Sequence, residues 1–138
     1  MLMSIWASDK VRLTENFVST EFKSRTYPVV FVDTDLVKVL QGIRNATGKP
    51  VHVNSGYRTE THNKSVGGSK NSAHLLGKAA DIWVNGTSAR EIAKIAAALY
   101  GKTIAIGCHD KENYVHIDIV YAGNWYLNSL VNKVRSFE

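Results

Sequence analysis

The sequence predicts an α+β fold, a small antiparallel sheet with flanking helices. Three observations carry that prediction. Helix-period and strand-period segments occur in mixed order, without the regular strand–helix–strand alternation of a parallel sheet. The strand segments are short, and the clearest, Tyr114 to Val120, alternates Val115, Ile117 and Ile119 on one face with Tyr114, His116 and Asp118 on the other. The chain has 138 residues, 44% of them hydrophobic and 21% charged. That is the size and composition of one globular domain, residues 1–138, with an ordinary core.

The first thirty residues read as an irregular arm, with Phe17, Phe22 and Tyr27 as anchors onto the core. From Asp35 to Gly48 the pattern is helical: Leu36, Val39, Leu40 and Ile43 recur at i, i+3, i+4 and i+7, and Gly48 is placed to stop the helix. Val51-His52-Val53 alternates as a short strand. Thr59 to Ser72 is polar and glycine-containing and reads as a loop, too long for a simple connection. A strand follows at Ala80 to Val84. Ser88-Ala-Arg-Glu91 has the form of a capping box and opens a helix whose face is Ile92, Ile95, Ala96 and Leu99, closed by Gly101. The tail from Trp125 to Val134 is read as a last helix.

Composition narrows the functional classes. A single cysteine, Cys108, excludes an internal disulfide and points to a reducing compartment of synthesis. No apolar run approaches the length of a membrane span. The start, MLMSIWASDK, lacks a basic stretch followed by a long apolar one. No secretory signal is therefore read, and a protein made in the cytoplasm needs release or delivery to act outside it. The formal net charge of +5 favours an anionic partner, nucleic acid or bacterial wall polymer. The basic residues are scattered from Lys10 to Arg135 and form no dense run, which argues against nucleic acid. A monomer is expected.

The chemistry concentrates in Ser72-Ala-His74-Leu-Leu-Gly77-Lys-Ala-Ala-Asp81. A histidine and a carboxylate flank a glycine turn, which can bring both side chains onto one centre. They supply two of the three protein ligands that a catalytic zinc site needs. His116, on the non-apolar face of its strand, is the natural third. Asp81 sits among alanines beside an apolar strand, where a carboxylate must be paired or metal-bound. His52, His62 and His109 have no comparable context and read as surface or loop residues.

The pattern Ser-x-His-x-x-Gly-x-Ala-x-Asp resembles the signature of the zinc D-alanyl-D-alanine carboxypeptidase family (peptidase M15), in particular its small phage and prophage endolysin-like branch. Leu13-Thr-Glu-Asn-Phe17, Asn54-Ser-Gly-Tyr-Arg58, His62-Asn63, Val66-Gly67-Gly68 and Tyr114-Val-His-Ile-Asp118 agree with it in order, from residue 13 to 120. The resemblance implies the hedgehog/DD-peptidase fold and one Zn²⁺ per chain, held by His74, Asp81 and His116. It implies that Arg58 grips the substrate's carboxylate, with Ser72 lining the same pocket, and that the substrate is a peptidoglycan peptide. A guanidinium suits that task because it binds carboxylate in two-pronged fashion. The bond cut is left open between D-Ala-D-Ala and an L-Ala-D-Glu-type linkage.

One position departs from the pattern. Many relatives carry an acidic general base three residues before the last zinc histidine, where this chain has Asn113. The substitutes nearby are Asp118, Glu112 and Asp110, with Asp118 first because it shares the strand face of His116. Asp118 is also an alternative third ligand, with His116 acting beside it. The missing acid gives weight to a non-enzymatic reading, a zinc-containing binding module of the same fold; a virion component that contains the domain is a third reading.

Overall fold

A computed structural model describes residues 1–128 and 134–137. The N-terminal segment is more ordered than an irregular arm. Strand β1 (Leu2–Trp6) pairs antiparallel with β4 (Val29–Asp33), and β2 (Arg12–Thr14) with β3 (Phe17–Val18). These strands are short and β1 pairs with a segment far along the chain, so no local period announces them. Phe17 and Phe22 are buried as anchors, but Tyr27 is 43% exposed and rests against Tyr57, with ring centroids 6.2 Å apart.

Helix α1 (Thr34–Thr47) follows the expected period and buries Leu36, Val37, Val39, Leu40 and Ile43. The Asp33 carboxylate accepts the Asp35 backbone N–H at its start, and Gly48 closes it. Strand β5 (His52–Ser55) follows. The polar stretch expected to be a loop contains a short helix, α2 (Glu60–Ser65), capped by Thr59. It has no apolar face, so periodicity does not reveal it. Strand β6 (Ala79–Trp83) precedes α3 (Ala89–Tyr100), whose cap is Ser88. The buried face of α3 is Ala89, Ile92, Ala93 and Ala96, whereas Leu99 is 49% exposed.

Strand β7 (Ala105–His109), not anticipated from the sequence, packs beneath α3 and beside β8 (Tyr114–Asp118). Trp125–Leu127, expected to open a helix running to Val134, forms strand β9 instead; residues 129–133 of that expectation lie outside the described residues. The main sheet runs β5-β6-β8-β7-β9 and is antiparallel except where β9 joins β7 parallel. This is the α+β architecture predicted.

One face of the sheet is apolar. Ala80, Ile82, Ile106, Cys108, Val115 and Ile117 are fully buried there, in one core with α1 and α3. Burying a side chain such as Ile117 contributes about 1.5–3 kcal/mol, which commits the strand to this facing. Period two then forces Asp81, Gly107, His116 and Asp118 onto the opposite face. No described helix is long and apolar enough to cross a membrane.

Candidate metal centre

The register lays five residues in one row across the sheet: Ser55, Asp81, His116, Gly107 and Tyr126. Asp81 and His116 are thus neighbours on adjacent strands with side chains on the same face. His74 arrives from outside the sheet, on a 3-10 turn (Ala73–Leu76) that Ser72 caps through its hydroxyl to the His74 N–H. Gly77 ends that turn in the left-handed region, φ 70°, and a Cβ there would lie 2.3 Å from the carbonyl oxygen of Phe31. Only glycine satisfies both demands. The chain therefore reverses between His74 and Asp81 and brings them together.

Each histidine is oriented from behind. His74 Nδ1 lies 2.6 Å from the Gly56 carbonyl oxygen and donates to it, so Nε2 faces Asp81 Oδ1 at 3.2 Å. His116 Nε2 donates to Asp118 Oδ2 at 2.7 Å, so Nδ1 faces Asp81 Oδ1 at 3.0 Å. A backbone carbonyl or a carboxylate behind the imidazole is the usual device for presenting the other nitrogen to a metal. The ligand atoms of His74, Asp81 and His116 all lie within 4.8 Å of one another. Two imidazoles and a carboxylate on one point fit a zinc ion with an open coordination position.

Without a metal, the site holds itself together with protons. Burial disfavours charge on His116, but its hydrogen bonds to Asp118 and Asp81 outweigh this and push its pKa up to about 9. Burial likewise opposes the Asp81 carboxylate, yet the bonds from His116 and His74 hold it far below the ordinary carboxylate range.

Arg58 stands over the same carboxylate. Its Nη2 donates to Asp81 Oδ2 at 3.1 Å, Nε to Ser55 Oγ at 2.9 Å and Nη1 to Asn63 Oδ1 at 3.3 Å. Asn63 is buried and in turn donates to the Ser69 carbonyl at 2.8 Å. Of five guanidinium N–H groups these bonds use three, which leaves one on each terminal nitrogen uncommitted.

The carboxylates considered as base occupy different settings. Asp118 is buried; Oδ2 is bound to His116, and Oδ1 accepts the backbone N–H groups of Val120 and Tyr121 at 2.9 and 2.8 Å. Asp110 pairs with Arg90 at 3.1 Å. Glu112 is exposed and lines the cavity in front of the metal centre. Asn113, where an acid was expected, turns the chain at φ 57° and accepts the Ala89 N–H at the start of α3. Asn is among the residues best suited to both tasks.

The cavity is about 830 Å³, with Arg58, Ser72, His74, Asp81 and His116 in its wall. His109, Tyr114 and Tyr126 line it too. Reading His109 as a surface residue is thereby corrected: it is half-buried, stacked on Tyr114 at 4.2 Å, with Nε2 3.2 Å from the Tyr126 hydroxyl. His52 is exposed and stacked on Trp83, and His62 bonds to Ser24 at 2.7 Å, away from the metal centre.

Comparison with known proteins agrees with this geometry. The family model described as Peptidase M15 matches residues 11–118. The chain belongs to the peptidase M15 family. Over 69 residues it is 42% identical to the zinc D-Ala-D-Ala carboxypeptidase of Streptomyces albus G. That stretch covers 49% of this chain and 27% of the relative, so this M15 chain spans well under half the length of the curated relative it matches.

Proposed function

We propose that the chain is a zinc-dependent hydrolase of peptidoglycan stem peptides, acting as a D-Ala-D-Ala carboxypeptidase or an L-Ala-D-Glu-type endopeptidase. The observation that carries the reading is the convergence of His74 Nε2, Asp81 and His116 Nδ1 at the floor of an open cavity. When bound there, zinc supplies a Lewis acid that activates water and polarises the scissile carbonyl. The substrate class comes from the Streptomyces relative, whose name states its action on D-Ala-D-Ala.

The protein's own residues divide the remaining tasks. Arg58 holds the substrate's carboxylate with its two uncommitted N–H groups while its other bonds keep it fixed to Asp81, Ser55 and Asn63. Ser72, beside it in the cavity wall, has a hydroxyl proton free for the same group, because its oxygen accepts the His74 N–H. Glu112 takes the proton of the attacking water on a carboxylate oxygen and passes it to the leaving amine. Asp118 is the less suited base because both its oxygens are engaged; its task is to hold His116 in the ligand orientation.

An endolysin-like role, with delivery of the protein to the wall by release from a lysing cell, is the setting in which this activity is proposed to operate. The use of Asn113 as a turn and helix cap favours one competing reading, a zinc-containing wall-binding module without turnover. Digestion of purified sacculi followed by mass spectrometry of the fragments separates the two. New amino termini or released D-alanine, lost in His116→Ala, support the peptidase; binding to sacculi without fragments supports the module.

A further inference from the structure

Tyr126 and His109 stand on the cavity wall with no task in the scheme above, and Tyr126 lies beyond the family-matched residues 11–118. We infer that the Tyr126 hydroxyl, steadied by His109, donates a hydrogen bond to the carbonyl oxygen of the peptide bond being cleaved. This inference rests on the peptidase reading and deepens it.

The sheet register places the phenol. Gly107 pairs with His116 on one side and Tyr126 on the other. A Cβ built on Gly107 would lie 2.1 Å from Tyr126 Cζ and 2.2 Å from its hydroxyl oxygen. The hydroxyl end of the ring therefore occupies the space a side chain at 107 would fill, one strand spacing (about 4.8 Å) from the backbone of His116. The two rings are 6.5 Å apart. Glycine at 107 is what permits this; any larger residue would push the phenol away from the metal centre.

His109 fixes the hydroxyl. Its Nε2 lies 3.2 Å from the phenol oxygen, and its ring is itself held by the near-parallel stack on Tyr114, tilted only 9°. With the proton on Nε2, His109 donates to the phenol oxygen and leaves the phenol proton free to point into the cavity. As a peptide carbonyl is attacked, its oxygen gathers negative charge. Zinc, when bound, polarises that oxygen; of the chain's own groups, Arg58 is committed to the substrate's carboxylate and Glu112 to the water proton, which leaves the Tyr126 hydroxyl to add a hydrogen bond there. A preorganised donor of this kind is worth about 10²–10³-fold in kcat.

The test uses Tyr126→Phe, His109→Gln and the double variant, each zinc-loaded, with a D-Ala-D-Ala-terminated wall peptide as substrate. Tyr126→Phe is expected to lower kcat about 10²–10³-fold with KM changed less than about threefold and zinc content unchanged. His109→Gln should lose less, and the double variant no more than Tyr126→Phe, since His109 acts through the phenol. A phosphinate analogue of the peptide supplies a readout independent of turnover: Tyr126→Phe should weaken its binding at least about tenfold while leaving product-peptide binding unchanged. A hydrolysing enzyme whose Tyr126→Phe variant keeps its kcat and phosphinate affinity overturns the inference alone. A wild-type protein that cleaves neither the D-Ala-D-Ala nor the L-Ala-D-Glu bond of a full-length stem peptide, and binds the phosphinate analogue of neither bond, overturns the peptidase reading, and this inference with it.

Discussion

Asp118 Oδ2 lies 2.7 Å from His116 Nε2, and this contact decides which nitrogen of His116 faces Asp81. Two residues apart on β8, the pair shares a face because strand side chains alternate. Asp118 therefore acts through His116. Two backbone N–H groups hold its other oxygen, so it has little freedom to turn toward a substrate.

From that arrangement, Asp118→Asn should lower zinc affinity or activity about 10–100-fold, the scale of a residue that orients a ligand. Glu112→Gln should retain full zinc content and lose about 10²–10⁴-fold in kcat, the scale of a general base. Steady-state kinetics with zinc measured in both variants checks the assignment. The reverse pattern, with Asp118→Asn fully zinc-loaded and the more impaired of the two, makes Asp118 the base.

The parts readable from the sequence were those that a local rule governs. Alternation along Tyr114–Asp118 put His116 on the polar face, and the Ser72–Asp81 segment announced its turn through Gly77. Helix α1 followed its apolar period and both helices their caps, whereas the buried face of α3 is Ala89, Ile92, Ala93 and Ala96, with the expected Leu99 left exposed. What escaped depended on distant pairing. Strand β7 is an apolar run broken by Gly107, a residue that weakens a strand unless something lies over it, and that something is Tyr126. With β7 unseen, His109 read as surface. Strand β9 is three residues long and joins in parallel, so Tyr126 had no local signature. Asn113 was visible as a departure, but its bond to Ala89 required the fold.

The raised pKa of His116 gives the metal-free protein a pH signature. Its folded value, about 9, exceeds the unfolded value of about 6.5. The stabilisation is therefore fully present below about pH 6.5 and is lost as pH rises through about 9. Thermal melts of chelator-treated protein should show Tm falling across this window. Zinc must displace the proton on His116, so binding near pH 7 should release about one proton per chain, measurable by calorimetry in buffers of different ionisation enthalpy. A flat Tm profile with no proton release would show that His116 is neutral in the free site.

On the proposed reading, Arg58 couples substrate binding to the integrity of the site. Arg58→Ala removes a charge-assisted contact worth roughly 1.5–3 kcal/mol, so kcat/KM should fall at least about tenfold. It also strips one partner from the buried Asp81 carboxylate, so the metal-free variant should melt several degrees lower, about 1 kcal/mol shifting Tm by roughly 2–8 °C in a domain of this size. Zinc should recover part of that loss by binding the folded state. Unchanged kcat/KM with a large loss of Tm would restrict Arg58 to a structural role.

His74, Asp81 and His116 together are placed to hold one zinc ion. Elemental analysis of extensively dialysed protein, wild type beside His74→Ala and both verified as folded by circular dichroism, tests it most directly. One zinc per chain in the wild type and essentially none in His74→Ala is the predicted result. Equal zinc content in the two proteins, or none in either after refolding with zinc, would contradict it.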